Sequence, residues 1–305
     1  MLRITDDRTG RTIDAAVPRG LTRVVADVSG EGADVPSDLR VLLVADVLAR
    51  ALEMGGTPVV TVADPPGPLR SRALALGIRP GEPSAVPGGR SVHVRGRSAS
   101  AGQPRDAAEG GGPQGRAEGS GEGPGRDVRV DVAPVRAGGA GRVPGDVDRA
   151  DGDTGDGGDV SGGRDVSDVG GDVSDVGGDV SGGGDVSGGG GSVGGGAVWR
   201  LALLVRPRSQ AVELDDAALA SARELLGRWR KAVAVWATSP SKPVPEEVRR
   251  QLKSAWEDDL DVPAVLGVLH RVESDPGLPD GARFETYAYA DRLLGLELTR
   301  DIGTV

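Results

Sequence analysis

Leu21-Thr22-Arg23-Val24-Val25-Ala26-Asp27-Val28, the run from Ser37 to Leu52, and Pro58-Val59-Val60-Thr61-Val62 together decide the fold. The first segment is short and β-branched, as a buried strand is. Ser37 is placed to cap a helix, and Asp38 in the first turn favours its dipole. Leu39, Leu42, Leu43, Val47, Leu48 and Leu52 recur at helical spacing until Gly55-Gly56 stops the run. Pro58 to Val62 reads as a second strand. Strand, helix and strand in about 40 residues predict a βαβ unit with a parallel pair. Pro65-Pro66-Gly67-Pro68 then breaks the chain, and a short helix from Leu69 to Leu76 ends at Gly77.

Working outward, the last third is patterned as helices. Asp215 or Asp216 caps a run in which Leu219, Ala222, Leu226, Trp229, Val233 and Trp236 fall three and four apart. Pro245-Glu246-Glu247 opens a second helix carrying Val248, Leu252 and Trp256. Asp261-Val262-Pro263 starts a third, with Leu266, Leu269 and Val272 on one face. Phe284, Tyr287, Asp291 and Leu294 mark a fourth, stopped at Gly295. Four helices with short connections predict an antiparallel bundle.

The middle has another character. Ser91 to Gly196 holds 34 of the 51 glycines, and its 10 basic against 18 acidic residues give −8 of the chain's net −10. Asp-Val-Ser and Asp-Val-Gly-Gly units repeat over residues 165–187. Such a segment has too little apolar surface to offset its ordering entropy, so a disordered linker is expected. A calcium-binding β-roll would need a regular nine-residue repeat, which this spacing does not match. The acidity belongs to this segment and argues against a nucleic-acid-binding face.

Every aromatic residue (Trp199, Trp229, Trp236, Trp256, Phe284, Tyr287, Tyr289) lies in the last third, so the first 198 residues must build a core from aliphatic side chains alone. The absence of cysteine excludes disulfides and thiolate metal sites. His93 and His270 are the two histidines. Neither a signal-peptide core nor an apolar run of about 18 residues is present, so no membrane partner and a cytoplasmic location are expected.

Trp256-Glu257-Asp258-Asp259-Leu260-Asp261-Val262-Pro263-Ala264-Val265-Leu266 resembles the acidic run before Thr-Pro-x-Ala-Leu in cysteinyl-tRNA synthetases. Leu201 to Leu204, Leu214 to Leu219 and Leu226-Gly227-Arg228-Trp229-Arg230 resemble the helices after that family's second ATP motif. Leu2-Arg3-Ile4, Thr9-Gly10-Arg11, Asp46 to Glu53 and Ala75 to Pro80 follow its N-terminal order. The actinobacterial mycothiol-pathway ligases, which join cysteine to an aminosugar, share these segments. The resemblance covers about 85 residues at the start and about 105 at the end. It implies a class I synthetase catalytic fold, ATP as cofactor and cysteine as substrate.

The departures fall on the residues that do the family's chemistry. The His-Ile-Gly-His ATP motif aligns with Val35-Pro36-Ser37-Asp38, where Asp38 would repel phosphates. The zinc-binding Cys falls near Ala26, so zinc is not expected. The Lys-Met-Ser-Lys-Ser loop should precede residue 197, yet the first lysine is Lys231.

The expected fold is therefore α/β, a Rossmann-like truncated parallel sheet over residues 1–90, with a disordered linker over 91–196 and a helical bundle over 197–305. No catalytic or metal-binding residue is assigned. Gly30, Gly32, Ser37 and Arg40 are candidates for a residual phosphate site, through backbone N–H groups at the helix start and the Arg40 charge. A plain tight turn at Gly30-Glu31-Gly32 and a solvated Arg40 are the alternative. Three function classes follow: a catalytically inactive binding or regulatory homologue (or decaying paralogue), a surviving ATP-dependent cysteine ligase with a remodelled site, and a tRNA binder. The last would use Arg223, Arg228, Arg230, Lys231, Arg249, Arg250 and Lys253. The partner is unknown, with a protein the first choice because a truncated sheet exposes a strand edge.

Overall fold

Arg3–Asp6 (β1) and Arg11–Asp14 (β2) form an antiparallel hairpin ahead of the expected strand Thr22–Asp27 (β3). The computed structural model of the chain describes residues 1–16, 20–28, 34–83, 89–97, 127–138 and 195–304. Helix α1 (Val35–Met54), strand β4 (Val59–Val62) and helix α2 (Gly67–Ala75) follow as the hydrophobic spacing predicts. Strands β5 (Arg90–Gly96) and β6 (Asp127–Val132) then complete a four-stranded sheet in the order β4-β3-β5-β6, with every neighbouring pair parallel.

That sheet corrects the expected boundaries. The stretch expected as linker supplies β5, β6 and β7 (Val135–Gly138). Ser91-Val92-His93-Val94 and Val128-Arg129-Val130 alternate apolar and polar residues at the strand period, a pattern masked by the glycines around it. The repeats at 165–187 lie outside the described residues.

Strand alternation divides the sheet faces. Val24, Ala26, Val92, Val94, Val128 and Val130 are buried on the face that α1 covers. Arg23, Val25, Asp27, His93, Arg95 and Arg129 share the opposite face and stay half-buried or exposed. The outer side of β6 is covered by the β1–β2 turn. The Asp7 N–H donates to the Arg129 carbonyl at 2.8 Å, and the Arg129 and Asp131 N–H groups donate to the carboxylates of Asp6 (3.1 Å) and Asp7 (2.9 Å). These side chains satisfy donors that a bare edge strand leaves open.

The C-terminal part consists of α3 (Gly195–Leu204), β8 (Val212–Asp215), α4 (Asp216–Trp236), α5 (Glu246–Glu257), α6 (Val262–Ser274) and α7 (Asp280–Leu294). Asp215 caps α4 by accepting from the Ala218 N–H at 2.7 Å, and Asp261 caps α6 through the Ala264 N–H at 3.0 Å. Gly295 ends α7 in the left-handed region at φ 61°, and a Cβ there would stand 3.1 Å from the Arg200 guanidinium. Both constraints call for glycine. Tyr287 is packed edge-on by Trp229 and Trp236, with ring centroids 5.7 and 5.1 Å away.

One core joins the two ends of the sequence. Ile4, Val24, Leu43 and Val94 belong to the same buried cluster as Leu201, Trp229, Leu269 and Leu294. Strand β8 pairs in parallel with β7, and α1 packs on α7 as well as on the sheet. An aromatic-free N-terminal half thus gains its buried area by leaning on the helices rather than by forming a core alone. Among the described residues no helix is long and apolar enough to cross a membrane.

Candidate functional site

After β3 the chain moves to β4 on one side and then returns to β5 on the other. The strand order therefore reverses between β3 and β5, and open α/β sheets hold ligands outside the carboxyl ends of the strands at such a point. Two structures border that crevice: the ends of β3 and β5, and the N-terminus of α1.

At the strand ends, Asp27 gathers two nitrogen-bearing side chains. Its Oδ2 lies 3.2 Å from His93 Nδ1 and 3.4 Å from the Arg95 guanidinium. His93 sits in strand β5 with a carboxylate neighbour. With side chains between 31 and 41 % exposed, the three make an accessible polar cluster with solvent-weakened ion pairs.

At the start of α1, the cap is Asp34 rather than Ser37: its carboxylate accepts from the Ser37 N–H at 3.2 Å, and its carbonyl accepts from the Asp38 N–H at 3.0 Å. Pro36 contributes no N–H. Asp38 is buried in the same turn. Two carboxylates, a proline and two committed N–H groups leave this helix end negative and poor in donors, the reverse of what a triphosphate needs. The residues present therefore do not fit ATP in the family's manner. Zinc fares no better, because no cysteine is available and no cluster of three or more His, Asp or Glu suited to a metal occurs among the described residues.

Of the sequence-predicted phosphate residues, Ser37 and Arg40 are described, and both bond to other parts of the chain. Gly30 and Gly32 lie outside the described residues. The Ser37 hydroxyl accepts from the Val135 N–H at 2.8 Å, which fastens α1 to β7. Arg40 is 1 % exposed, so it is not a solvated helix residue. Its Nη1 donates to the carbonyls of Ala133 (2.8 Å) and Gln210 (2.6 Å), and its Nη2 to those of Arg206 (3.2 Å) and Pro207 (2.9 Å). Burial without a counter-ion pushes its pKa down to about 10.

Two further charged nodes escaped the sequence reading. Asp46, in the middle of α1, accepts from Arg200 (2.6 Å), Arg50 (2.9 Å) and Arg79 (2.9 Å), while Arg200 also donates to the Leu294 carbonyl. Burial alone would raise the Asp46 carboxyl; the Arg200 and Arg50 charges and the donated hydrogen bonds outweigh it and hold the group below its usual range. Arg208 spans the β1–β2 turn and the α5–α6 corner, donating to Asp7 (2.6 Å), to both oxygens of Asp259 (2.8 and 3.0 Å) and to the carbonyls of Asp131 and Thr5. Burial would lower its pKa, and the Asp259 and Asp7 carboxylates raise it instead. Asp259, at φ 54°, and Leu260, at φ 59°, form the strained corner this contact holds. A signal was available for Asp46 and Arg40: each interrupts the otherwise apolar stretch Leu39 to Ala49, where a charge has to be paired internally.

The basic residues of the α4–α5 stripe are interleaved with acids. Arg228 pairs with Glu273, Arg249 with Glu246, Arg250 with Glu247 and Lys253 with Glu257, while Arg230 is buried against the Leu296 carbonyl. A cavity of about 30 Å³ beneath α2 is lined by Leu42, Ala63, Leu74 and Ile78 among others, with Arg70 and Arg79 its charged residues.

No family model matches the chain. It is similar to curated proteins named L-cysteine:1D-myo-inositol 2-amino-2-deoxy-alpha-D-glucopyranoside ligase. The one from Streptomyces griseus is 37 % identical over 106 residues, which is 33 % of this chain and 25 % of the relative. The Kytococcus sedentarius protein is 42 % identical over 81 residues, 25 % of this chain and 18 % of the relative. The Streptosporangium roseum protein is 37 % identical over 103 residues, 32 % and 24 %. The chain thus spans about a quarter or less of the length of the curated relatives it matches.

Proposed function

We propose that this chain, a distant homologue of the cysteine ligases over part of its length, is a ligase-like protein that no longer performs ligation and serves a binding or regulatory role. On this reading the four-stranded sheet is the remnant of a Rossmann-like nucleotide-binding fold, ATP and cysteine are ancestral ligands, and the protein acts in the cytoplasm. The single observation that carries the proposal is the first turn of α1. In the family resemblance, imidazoles that contact ATP fall on Val35-Pro36-Ser37-Asp38. Here that turn holds two carboxylates and a proline, and its hydroxyl is spent on β7. The lost charge complementarity would remove the stabilisation that adenylation depends on. The missing cysteines remove the thiolate route to selecting a cysteine substrate.

Retained activity is the second reading, and the likeness to named cysteine ligases favours it. The discriminating experiment is cysteine-dependent ATP–pyrophosphate exchange on the purified full chain, with and without added zinc. The expected result is no exchange above background and no shift of the thermal midpoint with ATP. Exchange dependent on cysteine would establish adenylation and overturn the proposal.

A further inference from the structure

A small cavity of about 10 Å³ lies between α1, the turn after α3 and the α5–α6 corner. Its charged lining is Arg40, Arg206 and Arg208; Val44, Leu203 and Val262 are among the aliphatic residues that complete it, and among the described residues no carboxylate lines it. Arg40 and Arg208 are 1 and 6 % exposed. Each directs both of its Nη groups at oxygen atoms, as described above, and each keeps a buried Nε–H with no partner.

The two arginines differ in charge balance. Arg208 has the carboxylates of Asp7 and Asp259. Arg40 rests on four carbonyl oxygens and no carboxylate, so a full positive charge is compensated by dipoles alone. Buried charge is expensive without a counter-ion, and an orphaned buried N–H adds its own desolvation cost. One species would meet both needs: an anion in the cavity that both residues line, accepting from the two Nε–H groups. The volume has room for roughly one water-sized particle, which suits a monatomic ion better than a polyatomic one.

We infer that the cavity between Arg40 and Arg208 is a binding site for a single monatomic halide, chloride under ordinary conditions. The ion neutralises Arg40 and ties α1 to the α5–α6 corner through Arg208. The site does not depend on the ancestry of the chain or on any ligase activity. Since the folded state binds the ion and the unfolded chain has no such site, halide raises stability by mass action.

The test is anomalous diffraction from crystals of the full chain grown in sodium bromide. A bromide peak in contact with Arg40 Nε and Arg208 Nε is expected in the wild type. Arg40→Met should abolish it, while Arg228→Ala, which alters an exposed arginine outside the cavity lining, should leave it in place. A wild-type map with water density and no anomalous peak at that position overturns the proposal, as does a peak that survives Arg40→Met. If Arg40→Met does not fold, chloride-35 NMR on the wild type decides instead. Line broadening that bromide competes away supports the site, and its absence overturns it.

Discussion

Helix α1 buries charge twice, in opposite ways. In its second turn Arg40 sits among carbonyl oxygens with no carboxylate near it; further along, Asp46 sits among three guanidinium groups with Arg200 wholly enclosed. Among the protein's own described groups, the first arrangement offsets a charge with dipoles, the second with opposite charges. Both tie the helix to the C-terminal part, Arg40 to the turn after α3 and Asp46 to α3 and, through Arg200, to the end of α7. The difference teaches that α1 holds together an aromatic-poor sheet and an aromatic-rich set of helices. Arg40 and Asp46 both face inward to that task.

The largest effect is expected at the charge-paired node. Asp46→Asn removes the carboxylate that Arg200 is hydrogen-bonded to in the core, so unfolding in urea should show a loss of about 3–5 kcal/mol. Asp46→Leu combined with Arg200→Met removes both charges and should cost clearly less than the sum of the single changes. Additive losses would mean the two groups are not coupled and would dissolve the contrast with Arg40. The same pair sets an acid limb. Because the folded Asp46 carboxyl is held below its ordinary value of 3.8, it contributes stability that is complete above that value. The contribution is lost as pH falls below 3.8 through the lower folded value. Wild-type stability should therefore decline in that window, and the decline should be shallower in Asp46→Asn. An unchanged acid limb would place the titrating group elsewhere.

Replacing Arg40 with Met is the matching experiment on the dipole-seated charge. It removes a costly buried cation and frees four carbonyls, so the two consequences oppose each other. A loss of about 1–3 kcal/mol is expected, set by the unsatisfied acceptors and smaller than at Asp46. A loss equal to that of Asp46→Asn would show that carbonyl dipoles hold Arg40 as firmly as a counter-ion holds Arg200.

The hydrophobic spacing of Leu39 to Leu52 was enough to place α1, because leucine and valine at three and four residue intervals have one good burial solution. The four C-terminal helices were legible for the same reason, down to the Asp215 and Asp261 caps and the Gly295 stop. Strands β5 and β6 were not, since glycine-rich composition around them outweighed two short alternating runs. The fate of Ser37 and Arg40 was equally hidden. Residues 133 and 206–210, which claim Arg40, lie 93 to 170 positions away, and nothing local announces a partner at that distance. An arginine inside an apolar helix was itself the clue, and it pointed to burial rather than to phosphate.

Tyr287 offers the smallest and cleanest change, because it presents a neutral donor to a carbonyl. Its hydroxyl donates to the Leu269 carbonyl at 2.9 Å within the Trp229–Trp236 cluster, and burial raises its pKa, so it stays protonated at neutral pH. Tyr287→Phe keeps the ring packing and deletes that single bond. The remaining acceptor is a helix carbonyl, so the expected loss is about 0.5–1.5 kcal/mol with an unchanged denaturant slope. That value calibrates one carbonyl seat without charge. If Arg40→Met then costs no more than Tyr287→Phe, the charge of Arg40 contributes nothing beyond its hydrogen bonds. If it costs several times more, the four carbonyls act together as a seat for a cation, and the contrast between the two ends of α1 is one of means rather than of strength.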